Sequence, residues 1–189
     1  MDSIYIEKIL NGDPEAFRYF IRQYKDMAYS LAISIVKDEH KADEVLQSAF
    51  VNAYSNLASF KGNSKFSSWL YRIVVNESFK SIRKQKYEQI NLDQVSENEI
   101  PNLDDFSKKL SIDEQKFYIN EALIRLSPNE SLALRLFYLE ENSIEGITEI
   151  TGWSSSKAKI ILHRARKNMK IILSKLFMKP LNLYTNDRI

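Results

Sequence analysis

The chain has 189 residues, 27 basic and 25 acidic side chains, 44% hydrophobic residues and no cysteine. That apolar content excludes a disordered protein, and the missing cysteines exclude a disulfide framework, a Cys-based zinc site and a thiol nucleophile. No run of about 18 apolar residues marks a membrane span, and Met1–Lys8 lacks a basic-then-apolar leader, so a cytoplasmic protein is expected. Four Gly and four Pro, with long stretches free of both, predict an all-α protein. Two widely spaced His and no Gly-rich phosphate loop leave little to build a catalytic site or to hold a cofactor, so none is expected.

In chain order, Ile4, Ile9 and Leu10 predict a short helix that ends near Asn11-Gly12. Asp13-Pro14-Glu15 starts another, with an Asp cap, Pro at the first helical position and a first-turn carboxylate. Phe17, Phe20, Ile21, Tyr24, Met27, Ala28, Leu31 and Ile35 form its core stripe. After Asp38, the positions Ala42, Val45, Leu46, Ala49, Phe50, Ala53, Tyr54 and Leu57 repeat with helical spacing. Asp43, Glu44, Gln47, Val51 and Asn52 fall on the outer face, where the valine hints at a partner. A loop framed by Phe60, Phe66 and Trp69, containing Asn63 and Lys65, precedes a helix that turns basic at Lys80, Arg83 and Lys84. Aromatics among cations suit single-stranded nucleic acid, because every base offers a face for stacking. Taken alone, the loop reads better as core aromatics followed by cations that end a helix favourably.

Residues 88–120 carry 3 basic and 8 acidic groups, and Asn91 to Asp105 show no sustained periodicity. The stretch 88–115 therefore reads as an acidic linker between helical domains at 1–87 and 116–189. Ser127-Pro128-Asn129-Glu130 has the form of a capping box, opening a helix with Leu132, Leu136 and Leu139 inward. Ser143 caps a short helix bearing Ile144, Ile147 and Ile150, and Gly152 supplies the left-handed residue that ends it. Ser154 then caps a second helix with Ala158, Leu162, Ala165, Met169 and Ile172 as its buried stripe. From Ser154 to Lys179 there are eight Lys or Arg and no Asp or Glu. A face of one sign repels itself unless a polyanion neutralises it, so the pair reads as a DNA-binding helix-turn-helix. The tail from Phe177 to Ile189 is expected to fray.

The series Asp38, Ala42-Asp43-Glu44, Gln47, Phe50, Phe60, Phe66, Trp69-Leu70-Tyr71-Arg72-Ile73, Asn76 and Arg83-Lys84 resembles the core-binding and −10-reading domain of bacterial extracytoplasmic-function sigma factors. The series Ala122-Leu123, Leu126-Ser127-Pro128, Glu130, Gly152-Trp153-Ser154, Lys159 and Leu162-His163-Arg164-Ala165-Arg166 resembles their −35-reading domain. The departures lie in the helix-turn-helix: Gly146-Ile147-Thr148 for the family's Glu-Ile-Ala, Ser156-Lys157-Ala158 for Gly-Thr-Val, and Ile161 at a basic position.

The resemblance implies a sigma factor that binds the RNA polymerase core and directs promoter-specific initiation. Asp38, Asp43, Glu44 and Gln47 would dock on a coiled coil of the largest polymerase subunit. Phe60, Asn63, Lys65, Phe66, Trp69, Asn76, Lys80, Arg83 and Lys84 would handle the −10 element as it opens. Ser155, Ser156, Lys157, Lys159, His163, Arg164 and Arg166 would contact the −35 element. It also implies an acidic linker that runs through the polymerase channel and leaves room for a membrane-linked anti-sigma factor as a partner, without membrane insertion. From the residues alone, a stand-alone helix-turn-helix regulator and a helical adaptor that binds no DNA stay open.

Overall fold

The computed structural model describes residues 1–85 and 110–178, with side chains described for 1–83 and 110–177. The acidic stretch from Asn91 to Asp105 and the tail beyond Met178 lie outside the described residues. Every regular element described is helical, and no described helix is long and apolar enough to cross a membrane.

The first group contains α1 (Asp2–Leu10), a 3₁₀ turn (Pro14–Phe17), α2 (Arg18–Val36), α3 (Glu39–Ser55), a second 3₁₀ turn (Leu57–Ser59) and α4 (Phe66–Gln85). A two-residue reversal joins α2 to α3. Lys37 takes the left-handed conformation, φ 59°, and Asp38 is extended and accepts a 3.0 Å hydrogen bond from the Lys41 N–H. That backbone donor is the first reason the Asp38 carboxyl sits below its ordinary pKa. Phe20, Leu31, Ile35, Leu57, Leu70, Val74 and Val75 are fully buried. Helix α1 is clipped on by Tyr5 stacking on Tyr19 at 3.9 Å. Its Asp2 carboxylate accepts hydrogen bonds from Tyr19 and Tyr24 at 3.1 and 2.7 Å. Two members of the expected stripes, Ile21 at 38% and Tyr54 at 43% exposure, sit at the edges of their apolar faces.

The second group contains α5 (Ile112–Arg125), α6 (Pro128–Leu134), which runs on as a π-helical turn (Arg135–Leu139), α7 (Ile144–Thr151) and α8 (Ser155–Met178). Helix α5 begins within the stretch read as linker and is closed by a reciprocal Ser111–Glu114 capping box. The π turn corrects one expectation. Leu132 and Leu136 are buried, but Leu139 is 51% exposed, because the wider turn puts it out of phase with the α-helical repeat. Phe177, assigned to the fraying tail, belongs to α8 and packs edge-on against Tyr118 at 5.0 Å.

The two groups share one hydrophobic core, with α2 against α6 and α4 against α7. At this junction Lys37 Nζ donates to the Leu123 carbonyl at 2.5 Å. Burial, reinforced by the positive charge of Arg135, lowers the Lys37 pKa to about 7. Burial also lowers that of Arg135, despite the nearby Glu140 carboxylate. Arg135 Nε and Ser131 Oγ are buried without a hydrogen-bond partner, which costs about 1–3 kcal/mol for each such group.

Between pH 7 and the ordinary lysine value of 10.5, Lys37 is protonated in the unfolded chain and largely neutral in the folded one. Stability rises with pH wherever the unfolded state binds more protons. The thermal midpoint should therefore climb from pH 7 to pH 9, and Lys37→Met should flatten that climb. A wild-type midpoint that falls across this window in a thermal denaturation series would contradict the buried-lysine account.

Candidate nucleic-acid interface

The helix-turn-helix is built from local hydrogen bonds. Ser143 Oγ accepts from the Gly146 N–H at 3.2 Å to start α7. Gly152, φ 72°, ends it, its N–H donating to the Thr148 carbonyl at 2.9 Å. Thr151 Oγ1 accepts from the Trp153 N–H, and Ser154 Oγ accepts from the Lys157 N–H, both at 3.2 Å. Ile147 and Ile150 of α7 are buried with Ala158, Ile161, Leu162 and Ala165 of α8. Ile161, read from the sequence as a departure from the family's pattern, faces the core here.

The exposed side of α8 holds Ser155, Ser156, Lys157, Lys159, His163, Arg164 and Arg166, but these residues are not equivalent. Arg164 Nε donates to Glu130 Oε1 at 2.9 Å, and Asn168 Nδ2 reaches the same oxygen at 2.9 Å. Glu130 is 4% exposed. Its other oxygen holds the α6 capping box by accepting from the Ser127 Oγ and N–H at 2.7 and 3.3 Å. Arg164 is therefore a strut between α8 and α6. Arg166 is turned aside as well: its Nε donates to the Tyr138 hydroxyl at 2.8 Å, and its guanidinium lies 5.4 and 5.5 Å from the Phe137 and Tyr138 ring centres. Lys157 Nζ sits 5.7 Å from the Trp153 ring centre. Lys157 and Lys159 form no ion pair among the described residues. Of the four candidates here that carry a fixed positive charge, two also bond inward through Nε.

The candidates on α4 and its preceding loop divide likewise. Phe66 is the first residue of α4, at 2% exposure, and packs on Phe20 at 4.1 Å, Phe60 at 5.6 Å and Trp69 at 5.5 Å. The ring is enclosed by these neighbours, and α4 begins at Phe66, inside the stretch that the sequence reads as a loop. Phe60 and Trp69 are half-buried against it, whereas Asn63 and Lys65 are exposed. Asn76, Lys80 and Arg83, at i, i+4 and i+7, are exposed along α4, with Lys80 3.3 Å from Glu77. The Lys84 side chain lies outside the described residues.

On α3, Asp43, Glu44 and Gln47 are exposed together with Val51 at 67%. Asp38 is instead half-buried and spends its carboxylate on the α3 N-terminus. Sequence reasoning missed Glu130, read only as a cap, and Arg72. The Arg72 guanidinium lies 3.9 Å from where a side chain on Gly152 would begin, bringing α4 up to the turn between α7 and α8.

Comparison with known proteins gives this arrangement a class. Residues 20–87 match Sigma-70 region 2 and residues 116–169 match Sigma-70, region 4. The ECF RNA polymerase sigma factor SigW of Bacillus subtilis (strain 168) is 30% identical over 182 residues, covering 87% of this chain and 92% of the relative. The ECF RNA polymerase sigma-E factor of Escherichia coli (strain K12) is 40% identical over 75 residues, 40% of this chain and 39% of that one. In fold, the chain resembles the sigma factor RpoE of Bartonella quintana, solved in complex with the anti-sigma factor NepR. The TM-score is 0.60 at 22% identity, over 83% of this chain and 96% of that one. Regions 2 and 4 of sigma-70 type, in this order, define a promoter-recognising sigma factor of RNA polymerase. More narrowly, the chain belongs to the extracytoplasmic-function family.

Hydrogen bonds to a charged group contribute about 1.5–3 kcal/mol, and the Glu130 carboxylate accepts from Arg164 and Asn168 while also holding a cap. Glu130→Ala should therefore destabilise the fold by about 3 kcal/mol in a urea titration. Lys159→Ala should stay within about 0.5 kcal/mol of wild type, as an exposed substitution does. Equal losses from both would remove the distinction drawn between strut and free cation.

Proposed function

We propose that the exposed face of α3, with Asp43, Glu44, Gln47 and Val51, docks on the coiled coil of the largest polymerase subunit. Helix α4 and its preceding loop then take the −10 element. Asn63 and Lys65 lie at the loop, Trp69 and Phe60 form its aromatic wall, and Asn76, Lys80 and Arg83 follow the adjoining phosphates. The first turns of α8 take the −35 element, with Lys157 and Lys159 on phosphates and Ser155, Ser156 and His163 nearest the base edges. Phosphate contacts set register, and base-edge contacts carry the sequence information. The protein works by binding, with no chemistry of its own.

The observation that supports this reading best is the placement of an acidic face on α3 and cationic faces on α4 and α8, on separate helices. One polymerase-facing and two DNA-facing surfaces are thereby kept apart. In the closed packing α7 leans on α4, so holding two separate promoter elements at once requires that contact to part. The acidic stretch between the groups, outside the described residues, is proposed to run through the polymerase channel. Tethering gives the second DNA reader an effective concentration of about millimolar, so neither needs to bind tightly alone.

An inhibitory partner has a place to dock as well. A groove of about 400 Å³ between α5, α6 and α8 is lined by Ile119, Leu123, Leu139, Met169 and Leu173, and apolar side chains of an anti-sigma factor are proposed to seat there.

Run-off transcription with purified core polymerase tests the proposal directly. The chain should confer initiation at a shared two-part promoter motif, and failure to join the core would defeat it. Asp43→Lys with Glu44→Lys should abolish co-purification with the core while the purified variant still binds upstream-element duplex. Lys157→Ala with Lys159→Ala should do the reverse. Because each phosphate contact contributes about 0.9 to the salt slope of DNA binding, that pair should lower the slope by about two.

A further inference from the structure

Ile160 is 65% exposed, and it is the one large apolar side chain on α8 with such exposure among the described residues. Neither folding nor helix formation accounts for it. At about 100° per residue, it stands roughly 200° around the helix from both Ala158 and Leu162, which are buried in the core. Isoleucine is also a poorer helix former than the Lys, Arg or Gln that an exposed position commonly carries. Its neighbours on the helix surface are Ser156 and Lys157 at i−4 and i−3, and His163 and Arg164 at i+3 and i+4. All four are exposed. The apolar side chain is thus the centre of the outward face, ringed by polar and cationic groups.

We propose that Ile160 reads the C5-methyl group of a thymine in the upstream promoter element. This inference rests on the assignment of α8 to that element. When the surrounding cations settle on phosphates, the side chain at the middle of the face points at the groove floor. In the major groove the thymine methyl is the apolar feature that base edges present, whereas the other edges offer donors and acceptors. Ile160 is the sixth residue of α8, within the N-terminal part of a recognition helix that meets base edges. A protein partner would be expected to bury a contiguous apolar patch, and a single isoleucine among cations is not one.

The test uses the holoenzyme, formed from the full chain and core polymerase, and duplex promoters selected from a library randomised in the upstream element. Each thymine of the selected element is replaced in turn by uracil, which removes the methyl and leaves every hydrogen-bonding group. For wild type, one position should lose about fourfold in promoter binding, the factor that burying one such carbon group carries. Ile160→Ala should bind thymine and uracil equally at that position and leave the other positions unchanged. Ile160→Val, which keeps both branches at Cβ, should retain most of the preference. A wild type indifferent to every replacement overturns the inference alone, as does a preference that survives in Ile160→Ala. Promoter binding with no dependence on the upstream element overturns both this inference and the assignment of α8 beneath it.

Discussion

A single buried carboxylate fixes the pose of the recognition helix. Glu130 lies in the first turn of α6, where the helix dipole favours negative charge. There it accepts from the Ser127 backbone and hydroxyl on one oxygen and from Arg164 and Asn168 on the other. A carboxylate taken out of water at that depth is tolerable only because its lone pairs are filled by donors, one of them a guanidinium. The same group that starts α6 therefore holds α8 at two positions one helical turn apart. With α8 pinned from behind, Ser155, Ser156, Lys157 and Lys159 are presented at its free N-terminal end.

The junction between the two helical groups has a different character. Its apolar part is continuous with the core, yet it also encloses the Lys37 amine, which burial disposes to lose its proton, and leaves Arg135 Nε without a partner. Apolar contact draws the groups together, while burying the polar ends of Lys37 and Arg135 costs part of that gain. A contact balanced in this way holds the free protein compact and can still yield to a large partner surface. Under the proposed function, that yielding frees α4 and α7 from one another when both promoter elements are held.

The cationic helix also shows why counting charges overstates a DNA interface. Arg164 and Arg166 contribute to the positive potential near the duplex, but each also directs its Nε–H inward, to Glu130 and to Tyr138. Charge attracts a polyanion from any geometry, whereas base reading needs a side chain free to aim. The uncharged side chains on this face include the short Ser155 and Ser156 and the apolar Ile160, so under the proposed function specificity falls to shape and methyl contact as much as to bidentate hydrogen bonding.

The sequence by itself determined what depends on near neighbours along the chain. Helix starts at Asp38, Ser127, Ser143 and Ser154, the left-handed stop at Gly152 and the buried stripe of α8 all rest on residues one to four positions apart, and each was legible. The family, and with it the ordered pair of regions, was legible for the same reason, since its motifs are local spacings. Only the tertiary structure decided that Phe66 is core, that Leu139 swings outward on a π turn, and that Arg164 and Arg166 bond inward to other helices. Those outcomes hang on partners 28 to 46 positions away, as in Arg166 with Tyr138, Arg164 with Glu130 and Phe66 with Phe20, or on a change of helical pitch. No periodicity encodes which carboxylate a distant arginine will meet, because that choice is made by the packing of helices and not by the helix that carries it.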